Sequence, residues 1–181
     1  MVFTIFHYTI PYFLHKRFKS SCFLYLILSS TIQDLEVMAM FFIGYLPPYN
    51  RGFLHSFLAS LTIDPILALF LTPFSLFLIK KIFNFSYSIK DFIIKLNFKD
   101  YILSVLSSFS HVLIDSLHHL YNPVFMPFTK KSFNKLLLFN DWVKASFIMQ
   151  FIFGALSIAI LIYESEKAKS FKAFIESTLI K

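Results

Sequence analysis

Cysteine is almost missing from this chain. Cys22 is the only one in 181 residues, which excludes an internal disulfide and any metal site built on several thiolates. A metal held here would rest on His and carboxylate. Charge is scarce too: Asp, Glu, Lys and Arg make up 15% of the chain, against about 25% in soluble domains. What replaces it is apolar. Hydrophobic residues reach 57%, 26 of them Phe, and the mean hydropathy is +0.67. A single core of this size cannot hide that much apolar surface, so the bilayer is part of the solvent. The fold expected is all-α: a polytopic integral membrane helical bundle of about four membrane helices with re-entrant or interfacial amphipathic segments, multi-pass in the cell membrane.

Acidic residues are the scarcer sign, 10 against 17 Lys and Arg, for a net charge of +7. The basic residues fall in short clusters beside apolar runs, where they read as topology anchors touching membrane lipids. No nucleic-acid partner is expected. The apolar stretch 1–14 is too short to cross a bilayer and Pro11 interrupts it. His15, Lys16, Arg17 and Lys19 follow it rather than precede it, so it is expected to be retained rather than cleaved as a signal.

The spans then follow in order. Residues 20–46 are long enough to cross, but Gln33, Asp34 and Glu36 lie in the middle. Two residues apart on a helix, the acids point about 160° apart, so they share a site only if the helix breaks or ends there. The segment YLPPYNRG at 45–52 is a turn, with His55 just beyond it. Residues 57–79 form a span closed by Lys80 and Lys81; within it Asp64-Pro65 reads as an N-cap followed by a helix start. Residues 82–100 read as an amphipathic surface segment, 101–120 as a further span, and 124–138 as a basic loop. Asn140 or Asp141 can cap the last helix. Residues 1–138 are expected to form one membrane-embedded domain, 139–163 a transmembrane anchor and 164–181 a basic amphipathic tail. Lysines at 80–100 and in the tail favour the cytoplasm, which leaves the 47–52 turn outside.

The most informative stretch is SSFSHVLIDSLHHLYN at 107–122. At about 100° per residue, His111, Asp115, His118 and Asn122 share a sector of roughly 60° on one helical face. A His followed four residues later by Asp sets an imidazole and a carboxylate one turn apart, as helices present two ligands to one ion. His7, Asp34, Glu36 and His55 add further groups that bind metals or activate water, each within or beside an apolar segment. Three ionised, unpaired acids in a membrane would cost on the order of 8 to 10 kcal/mol, whereas a zinc site returns about 10 to 16. Hydrogen bonding among protonated carboxyls is the alternative compensation.

The order of these residues resembles the membrane-bound metal-dependent hydrolases often called YdjM-like. That family shows an early His in an apolar segment, a Pro-Asp-x-Asp element, a His-Arg-Gly-x-x-His-Ser element and a Ser-His-x-x-x-Asp element followed by a proline-containing loop. This chain has His7, then Gln33-Asp34-Leu35-Glu36, then Asn50-Arg51-Gly52-Phe53-Leu54-His55-Ser56, then Ser110-His111-Val112-Leu113-Ile114-Asp115, with Pro123 and Pro127 beyond. The likeness runs from about residue 3 to about 135. Gln33, Glu36 and Asn50 depart from the family pattern, and Asn50 removes one possible ligand.

The resemblance and the chemistry together imply metal-assisted hydrolysis. His7, Asp34, His55, His111 and Asp115 would hold one or two divalent ions, zinc or manganese, which lower the pKa of a bound water toward neutrality. Glu36 would act as general base, and Arg51 would grip a phosphate or carboxylate of a lipid-like ester or phosphodiester. Two other classes stay open on sequence: a scaffold whose polar residues join helices, and a small ion or proton carrier in which His118 and His119 extend a relay.

Overall fold

A computed structural model describes residues 7–20, 22–84, 90, 95–168 and 170–175. Among them the chain is helical, without strands, as its composition implies. The helices are α1 (Thr9–Phe18), α2 (Phe23–Phe42), α3 (Phe57–Leu61), α4 (Ile63–Phe83), α5 (Phe98–His118), α6 (Trp142–Lys167) and α7 (Phe171–Ile175), with 3-10 turns at Phe53–His55 and Leu138–Asn140. Three of them, α2, α4 and α6, are long and apolar enough to cross a membrane.

Helix α5 is as long as α4 but carries far more polar residues, and it is the one the others surround. It packs against α1, α2, α3, α4 and α6. A capping box fixes its start: Asn97 Oδ1 accepts the Asp100 amide and the Asp100 carboxylate accepts the Asn97 amide. From there one face sorts outward, with Ile102, Leu106 and Leu113 exposed, while Ser104, Ser107, Ser108, His111, Asp115, Ser116 and His118 are buried. The arrangement reverses that of a soluble bundle: small and polar groups pack inside, and Phe70, Phe74, Phe147 and Phe151 face out.

Helix α6 is more than an anchor. Met149 packs with Ile114 of α5, and Ile160 with Tyr12 and Phe23. The expected boundary at 163/164 falls inside the helix, which continues to Lys167. There the buried Glu164 accepts from the Tyr12 hydroxyl and pairs with Lys16 Nζ at 2.9 Å, tying α6 to α1. Asp141 caps the helix, accepting from the Val143 and Lys144 amides. In α7, Phe174 and Ile175 pack on the cluster of Cys22, Leu24, Tyr25, Ala68 and Leu76. Of the stretch 82–100 read as an amphipathic surface segment, 85–89 and 91–94 lie outside the described residues, as does the end of the tail at 176–181. The two ends of that stretch belong to α4, which runs to Phe83, and to α5, which begins at Phe98.

Two local expectations change. Pro11 does not interrupt a helix; it lies in the first turn of α1, where no intrahelical hydrogen bond needs its missing amide. Asp64 is not an N-cap. Helix α4 begins at Ile63, and the fully buried Asp64 carboxylate instead accepts from Gln33 Nε2 at 2.8 Å and Ser108 Oγ at 3.0 Å. Gln33 Nε2 also donates to Ser108 Oγ at 2.7 Å, so one polar knot joins α2, α4 and α5. Gln33→Leu should therefore remove a partner from a buried carboxyl and lower stability by about 1 to 3 kcal/mol, read as a lower melting midpoint of the detergent-solubilised protein.

Candidate metal centre

Four parts of the chain converge on Asp115. Helix α5 contributes His111, Asp115 and His118, with His119 at its C-cap. Helix α2 contributes Asp34 and Glu36, the loop and 3-10 turn after it Arg51 and His55, and the turn preceding α1 His7. All five residues expected as ligands come together around His111. Its Nε2 lies 3.3 Å from Asp115 Oδ2 and 3.8 Å from Asp34 Oδ1. Its ring stacks on His7 at 3.9 Å between centroids and stands edge-on to His55 at 5.8 Å.

Asp34 and Glu36 reach this cluster although α2 neither breaks nor ends between them. The buried stripe of α2 runs along Leu26, Ser29, Ser30, Gln33 and Val37, and the two acids flank that stripe on opposite sides. Asp34 approaches His111 from one side; the longer Glu36 approaches His55 from the other.

Glu36 is fully engaged there. Its Oε1 accepts from the Leu54 amide at 3.1 Å, and Oε2 accepts from the Gly52 amide and His55 Nδ1, each at 3.0 Å. The carboxylate expected as general base thus holds the His55 ring through Nδ1. Glycine is required at 52 by this approach: a Cβ there would stand 2.7 Å from Glu36 Oε1, and the carboxylate cannot swing away without releasing three donors.

Arg51 is 6% exposed; its Nη2 forms an ion pair with Asp115 Oδ2 at 2.8 Å, and its Nη1 donates to Asn122 Oδ1 at 3.5 Å. Asn122 lies beyond the end of α5, so it reaches the site from the following loop and not from the helical face expected for it. Its Nδ2 donates to the His119 carbonyl at 2.7 Å, which keeps Asn122 Oδ1 turned to Arg51.

His118 and His119 belong to the centre as well, and the ligand set read from the sequence omits them. His118 Nε2 lies 3.8 Å and His119 Nε2 3.4 Å from Asp115 Oδ1. The signal was present in the run Asp115-Ser116-Leu117-His118-His119: positions three and four residues after an Asp fall on its own helical face.

The tautomers decide what these groups can do. His118 Nδ1 lies 2.8 Å from the Ile114 carbonyl, which can only accept, so Nδ1 carries the proton and Nε2 presents a lone pair. His55 is fixed the same way by Glu36. Both Nε2 atoms therefore aim lone pairs at a carboxylate 3.8 Å away. His55 Nε2, both His111 nitrogens, His118 Nε2 and Asp34 Oδ2 are buried with no hydrogen-bond partner among the described residues. Acceptors facing acceptors out of water repel unless a cation lies between them. Three overlapping sets, His7/His111/Asp115, Asp34/His55/His111 and Asp115/His118/His119, each bring their donor atoms within 4.8 Å of one another. Two ligands of a tetrahedral ion at about 2.0 to 2.1 Å stand about 3.3 Å apart. These groups could hold a metal ion.

Beside the cluster opens a cavity of about 210 Å³. Arg51, Asn50 and His119 form its polar end, and Val37, Pro47, Leu120 and Trp142 its apolar wall.

Burial holds the His55 imidazole below its ordinary pKa. His119 is pushed down to about 3, by burial first and then by the Arg51 charge. Between about 6.5 and that value the unfolded chain binds a proton at residue 119 that the folded chain refuses, so stability is lost as pH falls through this window. The melting midpoint of the metal-free protein in detergent should drop from pH 7 to pH 4, and less steeply in His119→Gln.

No family model, curated protein or solved structure matches the chain.

Proposed function

We propose that this chain is a multi-pass protein of the cell membrane that works as a metal-dependent hydrolase on an amphiphilic ester or phosphodiester. The observation that carries the reading is the set of buried lone pairs facing one another around His111 and Asp115. Charge supports it. With imidazoles neutral and acids ionised, Asp34, Glu36 and Asp115 bring three negative charges against the single positive charge of Arg51, a deficit of two that one divalent ion balances. The resemblance to the YdjM-like hydrolases rests on the same residues.

His7, His55, His111 and Asp115 would hold the ion, zinc or its rival manganese, in an imidazole-rich set. When bound, the ion supplies Lewis acidity and lowers the pKa of water at that point. Glu36 holds His55 with its Nε2 turned inward. Asp34, whose Oδ2 is buried without a partner, takes over the role of general base expected for Glu36. Arg51 borders both the cluster and the cavity, so an anionic group entering the cavity meets its guanidinium. Leu120, Val37 and Trp142 give an acyl or other apolar tail a dry wall to lie on. That pairing of one cationic end with one greasy side is what recommends an amphiphile over a fully polar ester.

Elemental analysis of the detergent-purified protein tests the centre. A divalent metal should copurify near stoichiometry and be lost from His111→Ala and Asp115→Asn, with both variants still folded. Absence of metal, even after incubation with zinc or manganese, would remove the reading.

The two carboxylates of α2 separate in the same assay. Asp34→Asn should keep its metal and lose about 10² to 10⁴-fold in turnover of a chromogenic phosphodiester or ester presented in mixed micelles. Glu36→Gln and Gly52→Ala should instead weaken metal affinity by about 10 to 100-fold, because each releases the His55 ring.

A further inference from the structure

We propose a second divalent-cation site on the opposite oxygen of Asp115, formed by Asp115 Oδ1, His118 Nε2 and His119 Nε2 and bordering the cavity through His119. It rests on the reading of the His111 side as a metal centre and adds a second ion to it.

Asp115 divides its surroundings. Its Oδ2 faces His111, His55 and Arg51, whereas Oδ1 faces His118 and His119, with His7 also 3.8 Å from Oδ1 and stacked on His111. A carboxylate flanked in this way is suited to bridge two ions. On the Oδ1 side the three donor atoms lie within 4.8 Å of one another. They come from one and a half turns of a single chain segment, so the set is fixed by local geometry. His118 is held by the Ile114 carbonyl as the tautomer whose Nε2 can only accept or ligate, and that Nε2 is buried without a hydrogen-bond partner. Helix packing alone does not call for an orphaned lone pair set opposite a carboxylate oxygen. The Ser146 hydroxyl, from α6, donates to the His118 carbonyl at 2.7 Å and pins the end of α5 where the two imidazoles meet.

Charge sets the order of filling. The first ion already neutralises the deficit of the centre, so a second leaves an excess of two positive charges beside the buried guanidinium of Arg51. The second site therefore binds more weakly than the first. An anion in the cavity would offset that excess, which is where His119 and Arg51 both lie.

Manganese titration of the wild-type protein in detergent, first stripped of copurified metal with a chelator, counted by loss of the free-ion paramagnetic resonance signal, tests this. Two equivalents should bind, the second at least tenfold more weakly. The frozen, fully loaded protein should give the spin-coupled spectrum of a close pair, since carboxylate-bridged ions stand about 3.5 to 4 Å apart. The double variant His118→Gln/His119→Gln should keep the tight equivalent and lose the weak one together with the coupling. A single equivalent with an isolated six-line spectrum in wild type overturns the second site. If the double variant retains that equivalent, the His111 centre stands alone; if it loses it, the cluster is one shared site. No bound manganese or zinc at all overturns both readings. Should the double variant fail to fold, the wild-type spectrum decides by itself.

Discussion

Everything in this bundle answers to one carboxylate that has been taken out of water. Asp115 is 3% exposed, and it lies within 4 Å of Arg51 and of the nitrogens of His7, His55, His111, His118 and His119. An ionised acid in an apolar environment costs several kcal/mol unless charge and hydrogen bonds meet it. The fold meets it by bending the loop after α2 inward, so that Arg51 and His55 enter from a segment with little regular structure of its own. It also draws His7 in from the turn before α1. Apart from the cluster itself, the buried polar residues that α2 and α5 turn toward one another are mostly serines, Ser29 and Ser30 on one helix and Ser104, Ser107 and Ser108 on the other, which lets the two backbones approach closely.

The inverted packing explains why the most polar long helix is the one surrounded. In hydrocarbon the outer helices gain little from apolar contact with one another compared with contact to lipid, so association must come from close packing and polar bonds. The knot of Gln33, Asp64 and Ser108 and the Tyr12–Glu164–Lys16 group hold α1, α2, α4, α5 and α6 together at two levels. The first of these lies near the candidate centre and steadies the two helices, α2 and α5, that carry its carboxylates.

Much of this was legible in the sequence because it followed from local spacing. The His111–Asp115 pair reads directly from the i,i+4 rule, and the apolar runs and scarce charge lead to an all-helical membrane bundle. What sequence spacing misjudged depends on contacts from outside the segment. The N-cap reading of Asp64 was sound local chemistry, but Gln33 and Ser108 arrive from other helices and claim the carboxylate. Asp34 and Glu36 looked incompatible on one unbroken helix; they are compatible because the imidazoles they serve come from α5 on one side and the 53–55 turn on the other. In sequence Glu36 reads as a general base; that the amides of Gly52 and Leu54 also meet its carboxylate depends on the fold of the loop after α2. His118 and His119 were visible at the right spacing, and only the Ile114 carbonyl reveals which nitrogen His118 turns inward.

The cluster also has an order in time. His7 is separated from His111 by more than half of the chain, and the ring stack between them joins the first described residues to helix α5. At about 5 to 20 residues per second of synthesis, the N-terminal imidazole waits several seconds before the helix that receives it exists. During that wait Glu36 can already meet Gly52, Leu54 and His55, whereas Asp34 and Arg51 have been made without His111 and Asp115, the partners that α5 brings. Biogenesis of this protein therefore includes an interval in which charged groups destined for the interior stand without their permanent neighbours, and the late arrival of α5 ends it.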